Sequence, residues 1–427
     1  MKVSKLVFSY FVLFVLSPMW AFLFVSFGLR PKVFLFLFSI SLFIVYLLNN
    51  INIKKIKVPK YLWFYILFTL YTVLSDFFIV ERFKYLKNGY MFGFIFIVIL
   101  IENISFTKKQ INTLTFCLKS ILIFAFTTII LQQVFDYTFF VNMSSESTVQ
   151  DLERMESERR LPSVYSWIDL LDVGLSFIPM IAIIIENALK KRKNYIIWLL
   201  IGIIYAFLSR GRWIMLNFMM VASLPLFFFK RRIREMAVSL SVFVITILAS
   251  VVILESFEVP ISDIVEERIF EKSRGGLAEG SASTRLLAFY VFGRLFPENP
   301  VWGKGHLYSF DNKSNKDNQL ARYLGDKTSQ IHVGYLSLLY YYGIVGGSFF
   351  ILFLYFMCRY LYRNAKRTKH WAPFLAIFGF VIANLTLVTF YLFYAGIIVV
   401  LIYEKYYREQ NEISNKNPEK LLTTVHA

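Results

Sequence analysis

Long apolar blocks recur along the whole of this sequence, and they limit its fold more than any other feature. Each block is about twenty residues long, the length that an α-helix needs to cross the hydrocarbon of a bilayer. The chain of 427 residues is 57% hydrophobic and only 17% charged, which is too apolar for a soluble domain of this length. The pattern therefore predicts an all-α polytopic membrane protein.

The blocks predict about twelve transmembrane helices. The first block lacks a small-residue cleavage site, so we expect a retained helix instead of a cleaved signal peptide. Apolar windows define helix ends only to within several residues. The blocks cover about residues 6–28, 33–50, 61–80, 89–102, 113–135, 165–187, 194–209, 213–229, 236–254, 331–358, 372–386 and 388–403.

Basic residues set the predicted topology. The net charge is +18, and Lys and Arg accumulate on the cytoplasmic loops of membrane proteins. If the N-terminus is cytoplasmic, twelve spans place the strongly basic loops inside, together with the C-terminus. The two long loops, 136–164 and 255–330, then fall outside. The basic loops are 54–60, 107–110, 190–193, 230–235 and 359–370.

This topology divides the chain into four parts. Residues 1–254 hold nine helices and the outer loop at 136–164, and residues 255–330 form a large outer loop with helical segments. Residues 331–403 hold helices ten to twelve, and residues 404–427 form a polar cytoplasmic tail.

Two short outer turns are basic and oppose the topological trend. They are "ERFKYLKN" at 81–88 and "SRGR" at 209–212, and Arg210 and Arg212 are the only charges in the apolar run 201–229. Two interpretations stay open for such cations. They either anchor the helices to outer headgroups or bind an anionic substrate.

The large outer loop supplies further candidates. A helical stretch in its middle, about 283–296, is apolar except for Arg285 and Arg294. We expect it to lie in the membrane interface or to pack over the bundle, because water cannot surround it. The "GKG" from Gly303 to Gly305 offers backbone N–H groups to an anion, although a lone GxG motif carries little weight.

Two of the four histidines, His306 and His332, are predicted at the outer face. His332 lies at the mouth of the tenth predicted span, with Tyr335 on the same helical face. Arginine binds phosphate oxygens bidentately, and histidine transfers protons near neutral pH. Together they fit an enzyme that holds a lipid-linked phosphate or pyrophosphate and deprotonates an attacking hydroxyl.

Other chemistries find less support in the residues. Cys117 and Cys358 fall in apolar blocks and suggest neither a disulfide framework nor a metal site. No metal-ligand cluster is recognisable in the sequence. We therefore expect no metal and no cofactor, and no nucleic-acid partner.

Three motifs follow one another along the chain. They are Ser209-Arg210-Gly211, then Arg285 with the later "PVWGKG" at 300–305, then a helix with His332, Tyr335, Leu336, Gly343 and Gly346. Their order resembles the O-antigen polymerase and ligase family over about residues 200–360. The chain departs from the family pattern at Val333, where many members have Asn.

The resemblance implies an all-helical membrane glycosyltransferase of the GT-C-like kind, working at the periplasmic face of a bacterial inner membrane. Its donor and acceptor would be glycans linked to undecaprenyl pyrophosphate. Arg210 and Arg285 would hold the pyrophosphate, and His332 would be the general base, without a metal. Secondary candidates are Arg212, Arg294, Gly303, Gly305, His306 and Tyr335.

Three functions stay open within this frame. We favour a polymerase, which transfers the growing chain onto the non-reducing end of the next lipid-linked repeat unit. A ligase would transfer the chain to lipid A-core instead. A lipid-linked oligosaccharide flippase is a different class, and it would need charges deep in several spans, which are almost charge-free here. Membrane lipids and a chain-length regulator protein are the expected further partners.

Overall fold

The computed structural model describes residues 3–20, 31–49, 56–78, 85–135, 173–191, 194–209, 212–224, 281–305, 331, 333–385 and 389–416. Every regular element within these ranges is helical. A π-helical turn, Val173–Phe177, leads into α6, and a 3-10 turn, Phe296–Glu298, follows α9. The α-helices are α1 Val3–Val15, α2 Pro31–Asn49, α3 Lys60–Phe78, α4 Tyr85–Asn103, α5 Lys108–Val134, α6 Ile178–Lys190, α7 Tyr195–Leu208, α8 Arg212–Ala222, α9 Ser281–Leu295, α10 Gly334–Thr368, α11 Ala372–Ala383 and α12 Ala395–Lys416.

The helices follow the apolar blocks closely. Eleven of the twelve blocks overlap one of these helices, and the block at 236–254 lies outside the described residues. Three of them, α3, α5 and α10, are long and apolar enough to cross a membrane. The shorter apolar segments are α1, α7, α11, and the parts of α2 and α4 at Val33–Asn49 and Gly89–Asn103. The all-α membrane architecture is confirmed, while the number of crossings and the outer loop at 136–164 stay predictions.

The helices α3 and α10 pack along each other in antiparallel directions at the centre of the bundle. Aromatic side chains fill the space between them, because large flat rings bury much apolar surface in few residues. The opposite face of α3 exposes apolar side chains at helical spacing, as a lipid-facing surface does. Three ring pairs fix the direction, Tyr61–Tyr360, Tyr65–Phe353 and Tyr71–Tyr342, with centroids 5.3, 4.6 and 6.5 Å apart.

One end of the bundle, the basic end, collects the ends of α4, α6 and α10 and the beginnings of α3 and α5. The N–H of Lys57 donates to Asn103 Oδ1 at 2.8 Å, so the segment before α3 lies against the end of α4. Lys190 Nζ contacts the ring of His370, which joins the end of α6 to the loop after α10. Four of the predicted cytoplasmic loops thus meet at one end; the fifth, 230–235, lies outside the described residues.

The polar part of α12 continues this end instead of leaving the bundle. The predicted tail begins at 404, but the helix runs on to Lys416. Arg408 donates to both carboxylate oxygens of Glu102 at 2.9 Å and to Glu404 at 3.0 Å. Lys405 pairs with Glu409 at 3.0 Å. Nearly buried charges of both signs therefore neutralise one another here, as burial requires.

His370 lies in a second polar cluster at the basic end. The carboxylate of Glu186 accepts the N–H groups of Trp371 and Ala372 at 2.7 and 3.0 Å and caps the start of α11. The imidazole stacks on the ring of Tyr407. Burial lowers the pKa of His370 from its ordinary value of 6.5, and the nearby Glu186 carboxylate opposes that shift. Burial also lowers the pKa of Lys190 to about 8.

Candidate functional site

The predicted site residues lie on elements at the other end of the bundle, or outside the described residues. Arg210, His306 and His332 lie outside them. The backbones of Arg212 and Arg285 belong to α8 and α9, and their side chains are outside the described part. Helix α10 begins at Gly334, two residues after His332 in the sequence.

Helix α9 packs on the bundle through one face. Ala288, Val291 and Leu295 are buried at helical spacing, and the helix lies against α10. The opposite face exposes Phe289 and Tyr290. This confirms the expectation of an apolar helix that packs over the transmembrane bundle. Arg294 lies on the exposed face, where its guanidinium donates to the Tyr290 hydroxyl at 3.2 Å.

Helix α10 is broken at Gly343. This residue has φ +63° and ψ −169°, a conformation that is essentially restricted to glycine. The break removes the internal hydrogen bonds of the carbonyls before it and of the N–H groups after it. In a membrane helix such groups need other partners, since hydrocarbon offers none.

The turn Pro300–Gly305, which we call the docked turn, supplies those partners. The N–H groups of its last two residues donate to the carbonyls before the break, and its first two carbonyls accept from the N–H groups after it. The docked turn, just after α9, thereby supplies the hydrogen-bond partners that the backbone of α10 loses at its break. The four bonds are Lys304 N–H to Tyr340 O at 3.1 Å, Gly305 N–H to Tyr341 O at 2.9 Å, Ile344 N–H to Pro300 O at 2.8 Å, and Val345 N–H to Val301 O at 3.2 Å.

Glycines make this close backbone approach feasible. A Cβ on Gly343 would lie 2.2 Å from the carbonyl oxygen of Val301, and one on Gly303 would lie 2.5 Å from that of Tyr341. Gly303 and Gly305 also have positive φ, at +73° and +70°. The sequence suggested that the GKG segment presents N–H groups to an anion. In the structure all three of its N–H groups donate to protein carbonyls, that of Gly303 to Asn299 at 3.0 Å.

Side chains hold the docked turn from both sides. The hydroxyl of Tyr71, on α3, donates to the carbonyl of Trp302 at 2.6 Å, and the two rings lie parallel. Gly346 leaves room for Tyr71, since a Cβ there would lie 2.5 Å from its ring. Lys304 forms an ion pair with Glu298 at 2.6 Å. Contacts of the docked turn therefore link helices α3, α9 and α10 at one place.

Tyr335 has a packing partner as well. Its hydroxyl donates to the carbonyl of Val381 at 2.8 Å. Val381 lies in the last turn of α11, where carbonyls lack partners within the helix. The first part of α10, which follows His332, is therefore tied to α11.

Asp76 is a candidate that the sequence analysis did not single out. It lies near the end of α3 on the same side of the bundle as the docked turn, and it is buried. It is the only charged residue in the block 61–80. An ionisable residue inside a predicted span is a signal of function, because its burial is costly. Among the described residues no three His, Cys, Asp or Glu side chains lie close enough to share a metal ion.

Comparison with known families agrees with the motif order. A family model described as O-antigen ligase matches residues 195–351. The matched segment begins at α7 and includes α8, α9, the docked turn and the break in α10. The resemblance to the O-antigen polymerase and ligase family is confirmed over this part of the chain. Among curated proteins, no sequence matches the chain significantly.

Proposed function

We propose that the chain is a polysaccharide polymerase at the periplasmic face of a bacterial inner membrane. It transfers a glycan from undecaprenyl pyrophosphate to the non-reducing end of the next lipid-linked repeat unit. The match of residues 195–351 to the O-antigen ligase model carries the proposal. Family members of this kind are membrane enzymes that act on lipid-linked polysaccharides, which agrees with the apolar helices described above.

The reaction assigns one role to each candidate residue. The acceptor hydroxyl attacks the anomeric carbon of the donor glycan, and the bond from that carbon to the pyrophosphate oxygen breaks. His332 takes the hydroxyl proton, and undecaprenyl pyrophosphate leaves. Arg210 and Arg285 bind the pyrophosphate, whose negative charge grows as the bond breaks. Fixed guanidinium groups therefore stabilise the transition state more than the ground state, which accelerates the reaction.

The docked turn supports this assignment because it joins two elements of the proposed site. Arg285 lies on α9, and His332 lies two residues before α10. The four backbone bonds between the turn and α10 hold those two helices in one arrangement. Catalysis by separate residues depends on such positioning, since small displacements of reacting groups are costly.

A ligase is the second candidate, because the matching family model carries that description. Deletion of the gene and gel analysis of the surface glycan separate the two functions. A lost polymerase leaves a single repeat unit on lipid A-core. A lost ligase leaves unmodified core together with accumulated lipid-linked polymer. The family match does not support the flippase alternative. Loss of a flippase would abolish export of the glycan.

Complementation of the deletion strain tests the site. Arg210→Ala, Arg285→Ala and His332→Ala should each abolish polymer while the protein level stays normal. Lys109→Ala serves as the control, because it removes an exposed cation at the basic end. Normal polymer in all three site variants would refute the mechanism.

A further inference from the structure

The part of α10 that follows the break at Gly343 carries one exposed stripe. This part runs from Ile344 to Thr368 and is about 37 Å long, which exceeds the roughly 30 Å of bilayer hydrocarbon. Towards the basic end the exposed side chains change from apolar to cationic without leaving the stripe. The apolar part holds Ile344, Ile351, Leu352 and Tyr355, and the cationic part, which we call the α10 ridge, holds Arg359, Arg363, Lys366 and Arg367.

Helical spacing keeps the whole stripe on one side of α10. Successive members are three, four or seven residues apart, or adjacent, so they follow one face of a helix. The other face, with Asn364 and Ala365, is buried against the bundle. Asn364 donates to Glu404 of α12 at 2.5 Å. The ridge therefore points away from the protein, in the same direction as the apolar residues that face lipid.

The ridge cations lack acidic partners among the described residues, unlike other cations at this end. Arg408 and Lys405 are paired with carboxylates of α4 and α12. The described contacts of the ridge are aromatic instead. Arg359 donates to the Tyr355 hydroxyl at 3.4 Å, and Lys366 Nζ lies 4.5 Å from the centre of the Tyr362 ring. Four cations thus stand side by side without internal neutralisation.

The stripe passes from apolar to cationic residues without interruption, and this continuity indicates which molecule binds the ridge cations. Lipid tails cover the apolar residues of the stripe, so the headgroups of the same lipids reach the next turns of the helix. Tyr355 and Tyr362 lie at the transition, where aromatic side chains favour the membrane interface. Clustered Lys and Arg at that depth attract anionic headgroups. An acidic protein segment would match the charge but would not account for the apolar half of the stripe.

We propose that the α10 ridge is a binding site for the phosphate groups of anionic phospholipids in the leaflet at the basic end. The proposal does not depend on the glycosyltransferase function. Each ridge cation near the headgroups should strengthen binding about fivefold. Phosphatidylglycerol should bind, and zwitterionic phosphatidylcholine should bind much more weakly.

Native mass spectrometry of the full-length protein in detergent micelles tests this, with phosphatidylglycerol or phosphatidylcholine added. The double variant Arg363→Gln/Lys366→Gln should bind phosphatidylglycerol roughly 25-fold more weakly than the wild type. The control Lys108→Gln/Lys109→Gln removes two exposed cations at the same end. They lie on α5, outside the ridge, so this variant keeps the proposed site and should bind within about twofold of the wild type. Melting temperatures show whether each variant is folded.

Several results would overturn the proposal. Equal losses in the ridge and control variants would mean that binding follows net charge alone. Wild-type affinity in the ridge variant would exclude the site. Binding of poly-glutamate without phosphatidylglycerol binding would assign the ridge to an acidic protein. If the double variant fails to fold, Arg363→Gln alone, a change of an exposed side chain, should still weaken binding about fivefold.

Discussion

Replacement of Gly343 by alanine should detach the docked turn from α10. The added Cβ would lie 2.2 Å from the Val301 carbonyl oxygen and 2.6 Å from the Gly303 nitrogen. Both neighbours are backbone atoms, so neither can rotate away. The turn has to move, and up to four backbone hydrogen bonds are lost with it.

The cost follows from these contacts. A net contribution of about 1 kcal/mol per hydrogen bond gives a local loss of about 4 kcal/mol. A non-glycine residue in this backbone conformation adds about 1–3 kcal/mol of strain. The two losses together are about 5–7 kcal/mol. Because 1.4 kcal/mol corresponds to a factor of ten, the amides of the turn should exchange with deuterium roughly 10⁴-fold faster. Polymer formation should fall with it, since α9 and α10 lose their common anchor.

Hydrogen–deuterium exchange over residues 299–305 and 340–346 measures the opening, and gel analysis of the glycan measures activity. Gly293→Ala is the matched control, because a Cβ on this α9 glycine would meet nothing within 4 Å. It should leave exchange and activity unchanged, and stabilise α9 by about 0.5–1 kcal/mol. Wild-type exchange of the turn amides in Gly343→Ala would refute the conclusion that the turn completes α10.

Three further substitutions test other parts of the structure. Tyr71→Phe removes the hydroxyl that donates to the docked turn and should destabilise the turn by about 1 kcal/mol. Exchange of the turn amides should then rise about fivefold, while the global melting temperature stays unchanged. Asp76→Asn should abolish polymer at a normal protein level if the buried carboxylate serves the site, whereas a purely structural role would lower the melting temperature instead. His370 should reduce stability as the pH falls below 6.5, because the folded state disfavours its charged form while the unfolded state accepts the proton. His370→Gln should weaken this pH dependence of the melting temperature, and an unchanged pH profile would show that the imidazole beside Glu186 and Lys190 does not cause it.

The apolar blocks were sufficient to predict the helices but not the contacts that connect one helix to another. A transmembrane helix can be recognised from about twenty consecutive apolar residues, and each block outside 236–254 overlaps a helix. The docked turn depends instead on bonds between residues 36 or 44 positions apart, such as Lys304 and Tyr340. No local pattern reports those bonds. The GKG segment therefore suggested an anion site, while its N–H groups in fact complete the break in α10.

Charges were harder to interpret than apolar residues. Polar composition predicted a separate tail from 404, yet Glu404, Lys405 and Arg408 dock on the basic end. Each of these charges meets an opposite charge from another helix or from its own next turn, a pairing that composition does not reveal. Asp76 was overlooked for the converse reason, because one acid hardly changes the hydropathy of an apolar block.

The structure also explains why a family resemblance can rest on glycine and proline positions. Gly303, Gly343 and Gly346 each lie where a Cβ would meet backbone or a ring within 2.5 Å. Pro300 offers a carbonyl to α10 and has no N–H that would need a partner of its own. These residues let the backbones of the docked turn and α10 approach closely enough to hydrogen-bond with each other. The glycine and proline pattern therefore marks how α9 and α10 are joined, and this joint does not depend on the substrate-binding roles proposed for Arg210, Arg285 and His332.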